Sequence, residues 1–234
     1  MSTREPAPAP PAAEAHTRRR RLLAEYLGSM GLATVVIGSG IAAQQLTDDP
    51  GVQLLANAAA TGAGLYVLIL LFSPTSGAHF NPVVTVAGVF LGNGEWRDVA
   101  AYVGAQLAGC ASGAVLANLM FGLTPVSVSA TSRASGSHAL AEVAATAGLV
   151  LVIFLLVRSG RTERVAAAVG AYIGAAYFVT SSTSFANPAI TFGRMFSDTF
   201  AGISPASAPL FIAAQIAGGA LAVLLVRALS DPAP

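Results

Sequence analysis

The chain has 234 residues, 54% of them hydrophobic and 10% charged, with a mean hydropathy of +0.68. A soluble globular domain carries roughly 25% charged residues, so most of this surface is built to face something other than water. The formal net charge is +1 and the basic residues are all arginine, which leaves no nucleic-acid footprint; the single cysteine, Cys110, excludes an intrachain disulfide framework and reads as a small buried hydrophobe.

In chain order, residues 1–17 (MSTREPAPAPPAAEAHT) are rich in Pro and Ala, and Arg18 to Arg21 follow directly. Residues 1–21 read as a disordered cytoplasmic tail. The apolar run behind the arginines is too long, and lacks the cleavage site, for a signal peptide. A spanning helix needs ~20 mostly apolar residues. Six runs qualify, at about 22–43, 52–72, 98–120, 139–158, 164–181 and 207–228. Two further apolar pieces, 82–91 and 188–197, are too short to cross a bilayer and read as re-entrant half-helices. Gly109 with Gly113 and Gly170 with Gly174 have the small-residue spacing that lets helices in lipid approach closely.

Alternating six spans across a bilayer, with the amino terminus inside, places Arg4, Arg18 to Arg21, Arg97, Arg158, Arg161, Arg164 and Arg227 on the cytoplasmic side. Only Arg133 falls in an external loop, and Arg194 lies within the second short segment. This bias follows the positive-inside rule and predicts a multi-pass cell-membrane protein with both termini cytoplasmic. Trp96 and Arg97 read as an interfacial anchor.

The chain repeats itself. Ala24-Glu25 recurs as Ala141-Glu142, and Ala105-Gln106-Leu107-Ala108-Gly109 recurs as Ala214-Gln215-Ile216-Ala217-Gly218. SGAHFNPVVT, from Ser76 to Thr85, recurs as STSFANPAIT, from Ser182 to Thr191. Repeat 1 covers about 22–120 and repeat 2 about 139–228, within one membrane domain over 22–234. Three spans per half make the two halves enter the membrane from opposite sides, which places a shared site near the midplane. Asn is a strong N-cap and Pro suits the first helical position. Asn81-Pro82 and Asn187-Pro188 therefore start two half-helices that point at each other, positive dipole ends together. Non-helical backbone at that depth is tolerated only where it is buried or lines a wet cavity.

These paired motifs resemble the aquaporin, or major intrinsic protein, family over about residues 22–228. Asn81-Pro82-Val83 is similar to its first Asn-Pro-Ala signature, with Val83 in place of Ala, and Asn187-Pro188-Ala189 matches the second. The resemblance implies an all-α membrane fold of six spanning helices and two half-helices, a pore in each monomer, and a homotetramer in the lipid bilayer of a bacterial plasma membrane. It implies that Asn81 and Asn187 donate N–H groups to a passing neutral solute. Converging helix amino termini agree with this, because they raise the barrier to cations, hydronium included.

Family members usually carry Arg directly after the second motif, where this chain has Ile190. Carried over by offset from the two asparagines, the other constriction positions are Thr61, Ala175 and Ser184. That ring holds no aromatic, histidine or charge, and reads as wider and less polar than a water-selective one. Arg194 lies one turn beyond Ile190 on the same helical face. It either reaches back toward the constriction, or snorkels to the external headgroups or pairs with Asp198. Thr191 stands where glycerol facilitators often carry Asp, so neither signature is complete. Some bacterial channels with unusual filters pass neutral metalloids such as arsenite. His79 either lines the inner half of the pore or packs.

An intramembrane carboxylate is a functional candidate by default. Glu25 and Glu142 either couple protons in a secondary transporter or, as their symmetric placement suggests, brace the two re-entrant loops. Gln106 and Gln215 read as interhelical contacts. No HExxH or GxSxG motif and no Cys/His cluster points to an enzyme, a metal or another cofactor.

Overall fold

A computed structural model describes residues 11–230, with side chains from His16 onward. The helices are α1 (Pro11–Leu46), α2 (Pro50–Ser76), α3 (Pro82–Phe90), α4 (Trp96–Met120), α5 (Gly136–Arg158), α6 (Val165–Val179), α7 (Pro188–Arg194) and α8 (Ala208–Leu229), with a 3-10 turn at Thr162–Arg164 before α6. Five of them are long and apolar enough to cross a membrane by themselves. The sixth spanning helix, α6, has 15 residues, about 22 Å at 1.5 Å per residue. It packs along α2, and the 3-10 turn extends it.

The expected tail over 1–21 is corrected in part. Helix α1 already begins at Pro11, and residues 1–10 lie outside the described residues. The run from Ala12 to Arg21 holds strong helix formers, Ala, Glu and Arg, behind a proline suited to a first turn. Arg18 and Arg21 also pair with Asp98 of α4 at 3.2 and 3.1 Å. The second short segment ends at Arg194, three residues early, because Met195 and Phe196 turn back in i→i+3 bonds to Phe192 and Gly193.

Local chemistry sets the helix starts. Asp49 caps α2 by accepting from Gly51 and Val52, with Pro50 behind it; Ser135 caps α5 through His138. Packing then follows the repeat. Helix α1 lies against α2 and α4, as α5 lies against α6 and α8. The two halves interlock, since α3 also touches α8 and α7 also touches α4. At the α1–α4 crossing, a Cβ on Gly109 would collide with the Tyr26 carbonyl; at the α5–α8 crossing, one on Gly218 would collide with the Val143 carbonyl. Large apolar side chains such as Leu71, Leu140, Val179 and Leu224 stay exposed around the bundle, a surface suited to hydrocarbon.

Candidate functional site

The two loops before the half-helices share one backbone shape. Ala78 and Phe80 have φ of 52° and 49°, and their counterparts Ser184 and Ala186 both have 49°. Left-handed backbone costs a non-glycine residue roughly 1–2 kcal/mol, so it persists only where the surroundings enforce it. Each buried glutamate supplies that enforcement. Glu25 accepts from the backbone N–H groups of His79 (3.0 Å) and Phe80 (2.8 Å), from Ser76 Oγ (2.6 Å) and from Gln106 Nε2 (2.8 Å). Glu142 accepts from the backbone of Phe185 (2.9 Å) and Ala186 (2.8 Å) and from Gln215 Nε2 (2.6 Å). Gln106 also donates to Thr85 Oγ1 and Gln215 to Thr191 Oγ1, which ties each final helix of a repeat to its half-helix. Each carboxylate thus faces several donors from one loop and one helix.

The two half-helices then meet. Asn81 Oδ1 accepts from Val83 N–H, and Asn187 Oδ1 from Ala189 and Ile190. Asn81 Nδ2 crosses to the Ala186 carbonyl at 2.7 Å, and Asn187 Nδ2 crosses to the Phe80 carbonyl at 2.8 Å. Each amide has two N–H groups, so one hydrogen per asparagine remains beside the cavity that both residues line. Pro188 and Ala189 are buried, and Pro82 is partly so. Val83, the departure from Ala, faces Gly219 of α8, where any Cβ would meet its methyl; the small partner makes room for the larger residue.

The space in this cavity open to water-sized solutes is narrow, about 60 Å³. Its walls are mostly aliphatic, among them Leu32, Val36, Leu65, Leu149 and Ile173, and its polar lining includes Thr61, His79, Asn81, Ser184, Asn187 and Arg194. Thr61, Ser184 and Ile190, three of the offset positions, line it. Ala175 does not. It is exposed on the outside of α6, while Val169, Ile173 and Tyr177 line the cavity. Helix geometry explains the correction: lining residues recur every four positions, and a residue two away points about 200° around the helix. The wall therefore includes an aromatic residue, Tyr177, whose hydroxyl lies 3.1 Å from Thr61 Oγ1. Periodicity along α6 carries that signal, and counting back from Asn187 misses it.

His79 lines the cavity with Nδ1 3.2 Å from Thr85 Oγ1, its ring tilted on Tyr102. Arg194 is 2% exposed. Its Nε donates to the Ala201 carbonyl, and its guanidinium stands 3.4 Å from the Phe185 ring centroid. Asp198 instead accepts from Ala130 N–H, so the outward ion pair does not form. Ser184 Oγ is buried without a protein partner. Arg133, in the loop between the repeats, has its pKa lowered first by burial, with Tyr177 and Glu142 acting the other way.

Comparisons agree with this architecture. The family model for Major intrinsic protein matches residues 12–186. The chain is 47% identical over 214 residues to Aquaglyceroporin AqpS of Rhizobium meliloti, covering 92% of this chain and 91% of that protein. It is 34% identical over 145 residues to Probable aquaporin NIP4-2 of Arabidopsis thaliana, covering 56% of this chain and 51% of the relative. Among solved structures, the aquaglyceroporin from Plasmodium falciparum superposes with a TM-score of 0.73 at 17% identity, over 91% of this chain and 97% of that one; that likeness concerns the fold. Six spanning helices, two half-helices joined at their asparagines and a cavity beside them make this a multi-pass membrane protein, and with the family model and the full-length relative they place the chain in the major intrinsic protein family, a family of channels.

Proposed function

We propose that this chain is a passive transmembrane channel for water and small neutral solutes of the glycerol kind. One observation carries the reading: the reciprocal bonds between Asn81 and Ala186 and between Asn187 and Phe80 set two helix amino termini beside a cavity at the repeat interface. Two positive dipole ends there oppose cations, while the free amide hydrogens and Ser184 Oγ offer bonds to a neutral solute's oxygens. Thr61, Tyr177, Ser184, Ile190 and Arg194 form the outer selectivity filter. Ile190 leaves its level apolar and wide, and Arg194 restores the cation one turn further out. His79 lines the inner half. A filter without a charge at the level of Ile190 also suits compact neutral metalloid hydroxides such as arsenite.

The proton-coupled alternative finds no support, because Glu25 and Glu142 are each occupied by several donors. The chain works as a homotetramer in a bacterial plasma membrane, termini inside. The arginine bias supports that orientation, and the full-length identity to an aquaglyceroporin supports the solute class. Stopped-flow light scattering on proteoliposomes tests the function. Water and glycerol fluxes linear in their gradients and indifferent to a pH gradient are expected. Saturable uptake driven by a pH gradient overturns the reading.

A further inference from the structure

Two arginines reach one aromatic ring. The Arg194 guanidinium lies 3.4 Å from the Phe185 ring centroid, and the Arg133 guanidinium lies 5.4 Å from it. They come from different segments, since Arg194 ends α7 while Arg133 sits in the loop joining the repeats. They also share one turn of chain. Arg133 Nη2 donates to the Phe200 carbonyl at 3.1 Å and its Nε to the Gly202 carbonyl at 2.8 Å. The carbonyl between those two, Ala201, takes Arg194 Nε. Three consecutive carbonyls thus orient two guanidinium groups.

Arg133 is itself tied down at the backbone. Its N–H donates to Ser207 Oγ at 3.0 Å, and its carbonyl accepts from His138 Nδ1 at 2.7 Å. A carbonyl only accepts, so that ring nitrogen carries the proton. Phe185 is held on another side by Phe211, edge to face at 5.0 Å. Like charges repel, and this arrangement keeps them together only because carbonyl dipoles and a ring face lie against both.

We infer that Arg133 is a positioning residue for solute selection: it does not line the cavity, but through the 200–202 turn and the Phe185 ring it sets where the Arg194 guanidinium stands. Among the described residues, Arg194 has one protein acceptor, on Nε. A long side chain held at one point samples several rotamers, while function at a narrow site needs a group placed to within about 0.5 Å. Removing Arg133 takes two donors from the turn that holds Arg194 and one cation from the ring beneath it. The inference rests on Arg194 belonging to the filter.

The test is the ratio of glycerol to water permeability in proteoliposomes, for Arg194→Ala, Arg133→Ala, their combination, Arg133→Lys and Phe185→Leu. Arg194→Ala is expected to shift the ratio about tenfold, and Arg133→Ala at least threefold in the same direction. The double variant is expected to go no further than Arg194→Ala, because residues acting through one another are not additive. Lysine keeps the charge but lacks the planar fork that spans two carbonyls, so Arg133→Lys shifts the ratio as well. A silent Arg194→Ala removes the filter reading and this inference with it. A shifted Arg194→Ala beside wild-type ratios in both Arg133 variants, or an additive double variant, overturns the inference alone. Where Arg133→Ala does not yield a monodisperse protein, Arg133→Lys and Phe185→Leu decide, and wild-type ratios in both overturn it.

Discussion

Tyr177 and Thr61 stand 116 positions apart in the chain and 3.1 Å apart at their hydroxyls. They belong to α6 and α2, the second helices of the two repeats, which pack together. The bond joins the repeats at the cavity wall, which both residues line. Tyr177→Phe keeps the ring and deletes the bond. A typical hydrogen bond is worth about 0.5–1.5 kcal/mol, so glycerol permeability is expected to change by roughly two- to tenfold with little effect on water. Tyr177→Ala is expected to admit larger polyols. Stopped-flow rates for water, glycerol and erythritol check both.

Ile190 is 4% exposed and lines the cavity one turn before Arg194. Ile190→Arg puts a second cation and a longer side chain into the same wall. Glycerol permeability is expected to fall at least tenfold while water still passes. Unchanged permeability for every solute removes Ile190 from the filter.

Glu25 and Glu142 are fully buried, and each accepts two backbone N–H groups from a left-handed loop. A hydrogen bond to a charged group contributes about 1.5–3 kcal/mol, and Gln in place of Glu turns one acceptor into a donor facing donors. Glu25→Gln and Glu142→Gln are each expected to lower the thermal unfolding midpoint in detergent by several degrees and to cut water and glycerol flux together. A variant that keeps its midpoint and loses only a pH-driven component of flux points instead to proton coupling.

Asp98 joins Arg18 and Arg21, whose side chains are 51% and 36% exposed. Ion pairs of that exposure contribute about 0–1 kcal/mol each and weaken with salt. Asp98→Asn is therefore expected to move the unfolding midpoint far less than Glu25→Gln. A fall as large as that of Glu25→Gln contradicts this ranking.

Much of this is legible in the amino-acid sequence. Apolar runs of spanning length, the arginine bias and two copies of Asn-Pro depend on composition and on spacing along one chain. Those are local properties, and the solvent that the surface must face decides them. The matched placement of Glu25 and Glu142 was legible as well, because two repeats carry the same residue at the same place. On α6 the offset failed. Ala175 is two positions from both Ile173 and Tyr177, and two positions are enough to turn a side chain from the cavity to the outside.

By itself, then, the sequence determined the membrane, the duplication and the half-helix starts at Asn81 and Asn187, since hydropathy, repeat spacing and N-cap chemistry act over short range. Tertiary structure alone decided which partners the side chains of the cavity wall take. Arg194 meets Phe185 and the Ala201 carbonyl rather than Asp198, and Tyr177 meets Thr61. Those partners are chosen by how helices rotate and cross when the two repeats pack, and no interval counted along the chain encodes that rotation.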